Sequence, residues 1–171
     1  MSRKKWITAH IDKELAALVA ENHSLDPFTA LILVSRGITE YEDVEEFFES
    51  DYSFCDPYLI TDMEKAVERI EKAIDDFQKI CVFGDYDADG VTATALMYSY
   101  LSDRGADVMY YIPDRVSEGY GMNCNAIDKL KEQGVNLIIT VDNGISAVEE
   151  IAYAKTLGIE TVVTDHHQVG D

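Results

Sequence analysis

The sequence predicts an α/β fold, a mostly parallel sheet flanked by helices, preceded by a helical N-terminal segment. From Lys79 onward, four short apolar runs, "KICVF", "ADVMYYI", "VNLIITV" and "IETVVT", alternate with stretches of helical period. Strand–helix repeats of that spacing fold as a parallel sheet covered by helices. The runs are continuously apolar rather than alternating, as strands buried on both faces are. Before Lys79, apolar residues recur at helical spacing instead.

Along the chain, "IDKELAALVAENH" places Ile11, Leu15, Leu18 and Val19 on one face of a helix. "LDPFTALILVSRGI" offers Asp26 as N-cap, Pro27 as the first helical residue and Gly37 as the stop. In "TEYEDVEEFFES", Thr39 and Glu42 stand at capping-box spacing. "DPYLITD" reads as a linker. The chain therefore divides into a helical segment over 1–60 and an α/β domain over 61–171. "DMEKAVERIEKAIDDFQ" puts Met63, Ala66, Val67, Ile70, Ala73, Ile74 and Phe77 on one helical face, with charges opposite. The strands follow, joined by helices in "GVTATALMYSYLSD", "NAIDKLKEQG" and "ISAVEEIAYAKTLG".

A length of 171 residues with 47% hydrophobic content suits one ordinary domain with a small attachment. The apolar runs fall well short of the ~18 residues a membrane-spanning helix needs. "MSRKKWITAH" has basic residues with no apolar stretch behind them, so it does not read as a secretory signal. Cys55, Cys81 and Cys124 form no C-x-x-C pair, which argues against a disulfide framework or a zinc site and for a reducing, cytoplasmic setting. The net charge of −19 repels polyanions, so a polyanionic substrate would require local cations.

In open parallel sheets, ligands bind beyond the carboxyl ends of the strands. Asp85, Asp87 and Asp89 follow the first apolar run in "GDYDADG", and Asp142 follows the third in "VDNGIS". Asp165, His166 and His167 follow the fourth in "TDHH". After the second comes "PDRVSEGYGM", where Arg115 offers a guanidinium to phosphate and Tyr120 an aromatic face to a base; both also suit plain loop packing. A lone acid after a strand is commonly a helix N-cap, and Asp142, or Asp89 before a helix from Gly90, fits that role. Three acids in five residues exceed what capping uses. Alternate residues of an extended stretch point the same way, so their repulsion calls for a cation. Asp85, Asp87, Asp89 and Asp142 together balance two divalent ions. Carboxylates with one or two imidazoles suit Mn2+ or Mg2+, and two such ions can clamp the attacking and leaving oxygens of a displacement at phosphorus. His10 and His23, in the helical segment without partners, read as structural.

Two other readings fit the same words. "DYDADG" matches the start of an EF-hand loop, but position 12, which should be glutamate, is Leu96. "DADGVT" after a strand is also similar to the first motif of haloacid-dehalogenase-type phosphatases, with Asp87 as nucleophile and Asp89 as acid/base. That alternative leaves Asp85 and the paired histidines without a task.

"GDYDADG", "VDNGIS" and "TDHH" together resemble the DHH phosphoesterase superfamily. "RGITEYEDVEEFF", "DMEKAVERI", "IPDRVSEGYGM" and "ITVDNGISAVEEI" are similar, within it, to the bacterial RecJ family of single-strand-specific exonucleases. The resemblance implies metal-dependent 5′→3′ hydrolysis of single-stranded DNA in DNA repair and recombination. It puts Asp87, Asp89, Asp142 and His166 at metal-ligand positions, with Asp85 in the first motif. His167 would lie near the scissile phosphate or the metals, and Asp165 would orient a ligand histidine; these two are taken as the catalytic pair. Single-stranded DNA and a single-stranded-DNA-binding protein are the implied partners. The alternative within the superfamily is a hydrolase of oligoribonucleotides or cyclic dinucleotides. A degenerate scaffold would not keep all the ligand residues. Family members continue past the D-H-H motif with another carboxylate motif and a second domain. The sequence is therefore expected to be an N-terminal fragment, weak or inactive alone.

Overall fold

A computed structural model describes residues 10–48, 55–114 and 121–169. The chain divides into two compact units, Met1–Asp56 and Pro57–Asp171. In the first, α1 spans Lys13–Asn22, α2 Pro27–Ser35 and α3 Tyr41–Phe48. Asp12 and Asp26 cap the first two helices, each carboxylate accepting two backbone N–H groups of the following turn at 3.0 Å. Pro27 opens α2 as predicted. Val19, Ala30, Leu33 and Val44 form the small core. Leu18, expected on the inner face of α1, is 53% exposed, because the stripe that meets α2 runs through Ala16 and Val19. The capping box also differs. Helix α3 opens at Tyr41, with the Glu40 carbonyl accepting its first bond from Val44, and the Thr39 hydroxyl reaches the Glu40 carboxylate instead. His23 is structural but not alone: Nδ1 lies 2.7 Å from Glu45 Oε1 and the ring sits against Tyr41.

The second unit is the predicted α/β fold. After one 3-10 turn at Pro57–Leu59 come α4 Met63–Asp75, β1 Ile80–Phe83, α5 Ala88–Asp103, β2 Val108–Tyr111, α6 Cys124–Glu132, β3 Leu137–Val141, α7 Val148–Thr156 and β4 Glu160–Thr164. The strands pair in parallel in the order β2-β1-β3-β4. Every residue of β1 and β3 is buried, as continuous apolarity requires, because helices cover both faces. Cys81, Phe83 and Ile138 point into a core with Ile127 and Leu130 of α6 and Ala154 of α7. The intervening residues Ile80, Val82, Leu137, Ile139 and Val141 point the other way, toward Ala73 of α4 and Leu101 of α5. The period-2 alternation of strand side chains thus separates two cores across one sheet. Among the described residues, no helix is long and apolar enough to cross a membrane.

Phe77 departs from the sequence reading. Helix α4 stops at Asp75, and Phe77 lies beyond its cap at φ +53 with 85% of its surface exposed. The chain has to reverse there to enter β1, and this turns the ring out of the apolar stripe.

The strand order reverses direction between β1 and β3. Such a point leaves a crevice at the carboxyl ends of the two strands, and the acid-rich segments open there.

Candidate metal centre

The first arm of the site continues from β1. Asp85 is 2% exposed, and its Oδ1 is buried without a hydrogen-bond partner. Burial raises its pKa above the ordinary carboxylate range, with Asp87 and Asp142 adding to the effect. Helix α5 opens at Ala88, not at Gly90. Its N-cap is Asp87, not Asp89; Asp87 Oδ1 accepts the Gly90 N–H at 3.0 Å. That bond, with one from Asp89, holds the Asp87 pKa down, and the same Asp87–Asp89 contact pushes Asp89 up. The three acids therefore do not share one extended stretch. Asp85 lies in the loop, Asp87 at the cap and Asp89 in the first helical turn. Gly90 belongs to that same turn. It sits inside the helix, where an added Cβ would lie 2.7 Å from the Cβ and carbonyl oxygen of Asp85. A hydrogen atom there lets the first turn of α5 close onto Asp85.

The second and third arms continue from β3 and β4. Asp142 is not a helix cap, since α7 begins six residues later, at Val148. Its backbone is left-handed, φ +61, and its N–H bonds to the Thr164 carbonyl at 3.1 Å. Asp142 Oδ1 meets His166 Nε2 at 2.9 Å, and Oδ2 is buried without a partner. Asp165 lies on His167 rather than His166. Its Oδ1 accepts the His167 backbone N–H at 3.0 Å and sits 2.7 Å from Nδ1, while Oδ2 accepts the Ile145 N–H at 2.9 Å. Burial works to raise Asp165, but these hydrogen bonds outweigh it and hold its pKa below the usual range. The Asp165 contact raises His167 in turn.

These arms form two sets of side chains that could hold a metal ion. Asp85, Asp87 and Asp142 each offer an atom within 4.8 Å of the others, and so do Asp142, His166 and His167. Asp142 belongs to both. Asp89 lies outside both sets, with an oxygen 3.9 Å from His166 Nε2. The buried, unpartnered oxygens on Asp85 and Asp142 and the all-oxygen-and-imidazole donor set fit a hard divalent cation. Arg115 and Tyr120 lie outside the described residues. An apolar groove of about 780 Å³ between α4 and α5 ends at Asp89, Asp142 and His166, and a smaller one of about 360 Å³ opens beside Asp165, His167 and Gly144. Sequence reasoning passed over Asn143, which is 1% exposed and donates to the carbonyls of Phe83 and Val141. A polar residue between the strand-end acid and a glycine in "VDNG" was the available signal.

Over this fold and its acid- and histidine-bearing switch point, residues 79–171 match the DHH family, N-terminal domain. The chain belongs to the DHH family. Its relatives include the single-stranded-DNA-specific exonuclease RecJ of Bacillus subtilis (strain 168), 42% identical over 170 residues, 99% of this chain and 22% of the relative. The RecJ of Salmonella typhimurium is 36% identical over 172 residues, 100% of this chain and 29% of the relative. The chain thus spans about a quarter of the length of these relatives. Among solved structures, exonuclease RecJ bound to manganese is 40% identical with a TM-score of 0.56, over 63% of this chain and 28% of that one. RecJ of Thermus thermophilus in complex with Mn2+ is 30% identical with a TM-score of 0.61, over 92% of this chain and 22% of that one.

Proposed function

We propose that this chain carries the metal-holding part of a phosphodiesterase centre that binds two Mn2+ or Mg2+ ions and serves 5′→3′ hydrolysis of single-stranded DNA. The two ligand sets joined at Asp142, with buried oxygens on Asp85 and Asp142 left unpaired, carry the reading. The manganese found in the similar RecJ structures supports the choice of metal. The relatives' specificity supports single-stranded DNA as substrate.

In this reading Asp85, Asp87 and Asp142 would hold one ion, and Asp142, His166 and His167 would serve the other, with Asp89 completing the acidic wall. Bound divalent ions acidify water and stabilise the charge that builds on phosphate oxygens. Asp165 fixes the His167 ring through Nδ1 beside Asp142. Asp165 and His167 form the catalytic pair, and Arg115 and Tyr120 contact the substrate. The helical segment over 1–60 precedes the DHH-type domain over 61–171. The reading extends to work in DNA repair and recombination in the cytoplasm, beside a single-stranded-DNA-binding protein, and the relatives' single-stranded-DNA specificity supports it. The haloacid-dehalogenase-type alternative falls with the family match.

Mn2+ titration by calorimetry tests the centre. Wild type is expected to bind, with Asp142→Asn losing both sites; equal binding by the two proteins removes the reading. Digestion of 5′-labelled single-stranded DNA against a dinucleotide tests the substrate. Preference for the dinucleotide would favour the oligoribonucleotide and cyclic-dinucleotide branch of the superfamily.

A further inference from the structure

We infer that Asn143 is a positioning residue for the metal centre: its side-chain amide ties the end of β1 to the end of β3 and fixes the spacing of Asp85 and Asp142. The inference rests on the metal-centre reading above. Asn143 Nδ2 donates to the carbonyl of Phe83, the last residue of β1, at 3.1 Å, and to that of Val141, the last residue of β3, at 2.9 Å. Phe83 pairs in register with Thr140, so the two carbonyls stand where the backbone ladder between these strands runs out. One NH2 group, with two hydrogens, serves both. The points it grips are two residues from Asp85 and one from Asp142.

The local backbone shows why such a grip is needed. Asp142 holds φ +61, a left-handed conformation uncommon outside glycine that aspartate tolerates better than most residues. On one side, its N–H is tied to Thr164 of β4. On the other, Asn143 turns back onto the sheet. Gly144 follows at φ +108, where a Cβ would lie 2.7 Å from Thr140 Oγ1, so the loop packs down on β3. The amide orientation is decided by its partners. Reversed, it would set an oxygen against two carbonyl oxygens. As placed, Oδ1 is left buried without a partner, so the side chain is retained for its donors. Aspartate would offer no hydrogen here, and serine only one.

The test uses the 15N-labelled chain with Asn143→Ala and, as control, Ile159→Val, a fully buried core position just before β4 begins. Calorimetry with Mn2+ is expected to show at least tenfold weaker binding in Asn143→Ala, with circular dichroism retained, and wild-type affinity in the control. Without metal, the amide protons of Gly84 and Asp142, bonded to Tyr111 and Thr164, are expected to lose at least tenfold in exchange protection in Asn143→Ala only. If Asn143→Ala does not fold, Asn143→Ser, with one donor, is expected to show a smaller loss in both readouts. Wild-type Mn2+ affinity in a folded Asn143 variant overturns the inference. If the wild-type chain takes up no Mn2+, the metal-centre reading fails instead, and exchange alone decides the clamp: retained protection at Gly84 and Asp142 overturns it.

Discussion

A methyl group at position 90 would meet Asp85 backbone at 2.7 Å, not the yielding tip of a long side chain. The turn between β1 and α5 would have to open. Gly90→Ala is expected to cost about 1–3 kcal/mol and to weaken Mn2+ binding at least tenfold, measured by urea unfolding and calorimetry. Wild-type affinity in that variant would show that the closure of the turn is irrelevant to the centre. Cys81 gives a second test. Burial pushes its thiol from 9.0 up to about 12. The folded chain therefore holds the thiol neutral where the unfolded chain ionises it. The resulting stability is fully present below pH 9 and is lost as pH climbs toward 12. Native protein should expose two thiols to a thiol reagent, Cys55 and Cys124, and the third only on unfolding; three rapid reactions in the native state would contradict its burial. At this scale the sequence showed which residue types gather, because acids and imidazoles after apolar runs stand out. It did not show the pairings. Asp87 took the cap and Asp165 took His167 because loop backbone decided their directions, and no periodicity encodes loop backbone.

Helix α4 was legible as an element and misread at its end. Of its apolar stripe, Ala66, Ile70, Ala73 and Ile74 pack on the core against the sheet, and Met63 and Val67 line the groove beside α5. Phe77 fitted the same arithmetic, but the chain leaves the helix before reaching it. Its N–H bonds to the Ile74 carbonyl and the Gln78 N–H to that of Ala73, a helix stop built around a left-handed residue. Glycine suits that conformation far better than phenylalanine. Phe77→Gly is expected to stabilise the chain by about 1 kcal/mol and to remove an exposed aromatic ring, read from the urea midpoint. A lower midpoint would mean that the ring has a partner of its own. Helix α5 was misplaced by two residues for a related reason. "DADG" reads as loop because acids and glycine disfavour helix interiors, yet acids in a first turn are stabilised by the helix dipole.

For the whole molecule, the number and direction of the strands could be read from alternation and length, but not their order. β2-β1-β3-β4 results from how the helices share two faces, and it alone makes neighbours of the strands carrying Asp85 and Asp142. The net charge of −19 makes the fold a natural host for cations. Free Mn2+ at one hundred times its Kd is expected to stabilise the metal-binding unit by about 2.7 kcal/mol, seen as a rise in the thermal midpoint that a chelator reverses; a midpoint indifferent to both would count against any bound metal. Asp142 sits in both ligand sets, and this makes the molecule indivisible in a particular sense. A lineage cannot shed one half-site and keep the other by altering this residue, nor refine the two separately. Mutations drawn from opposite sets should combine with less than the sum of their effects, because each already disturbs the shared carboxylate. On the metal-centre reading, Asp142 is the one position where both sets must change together.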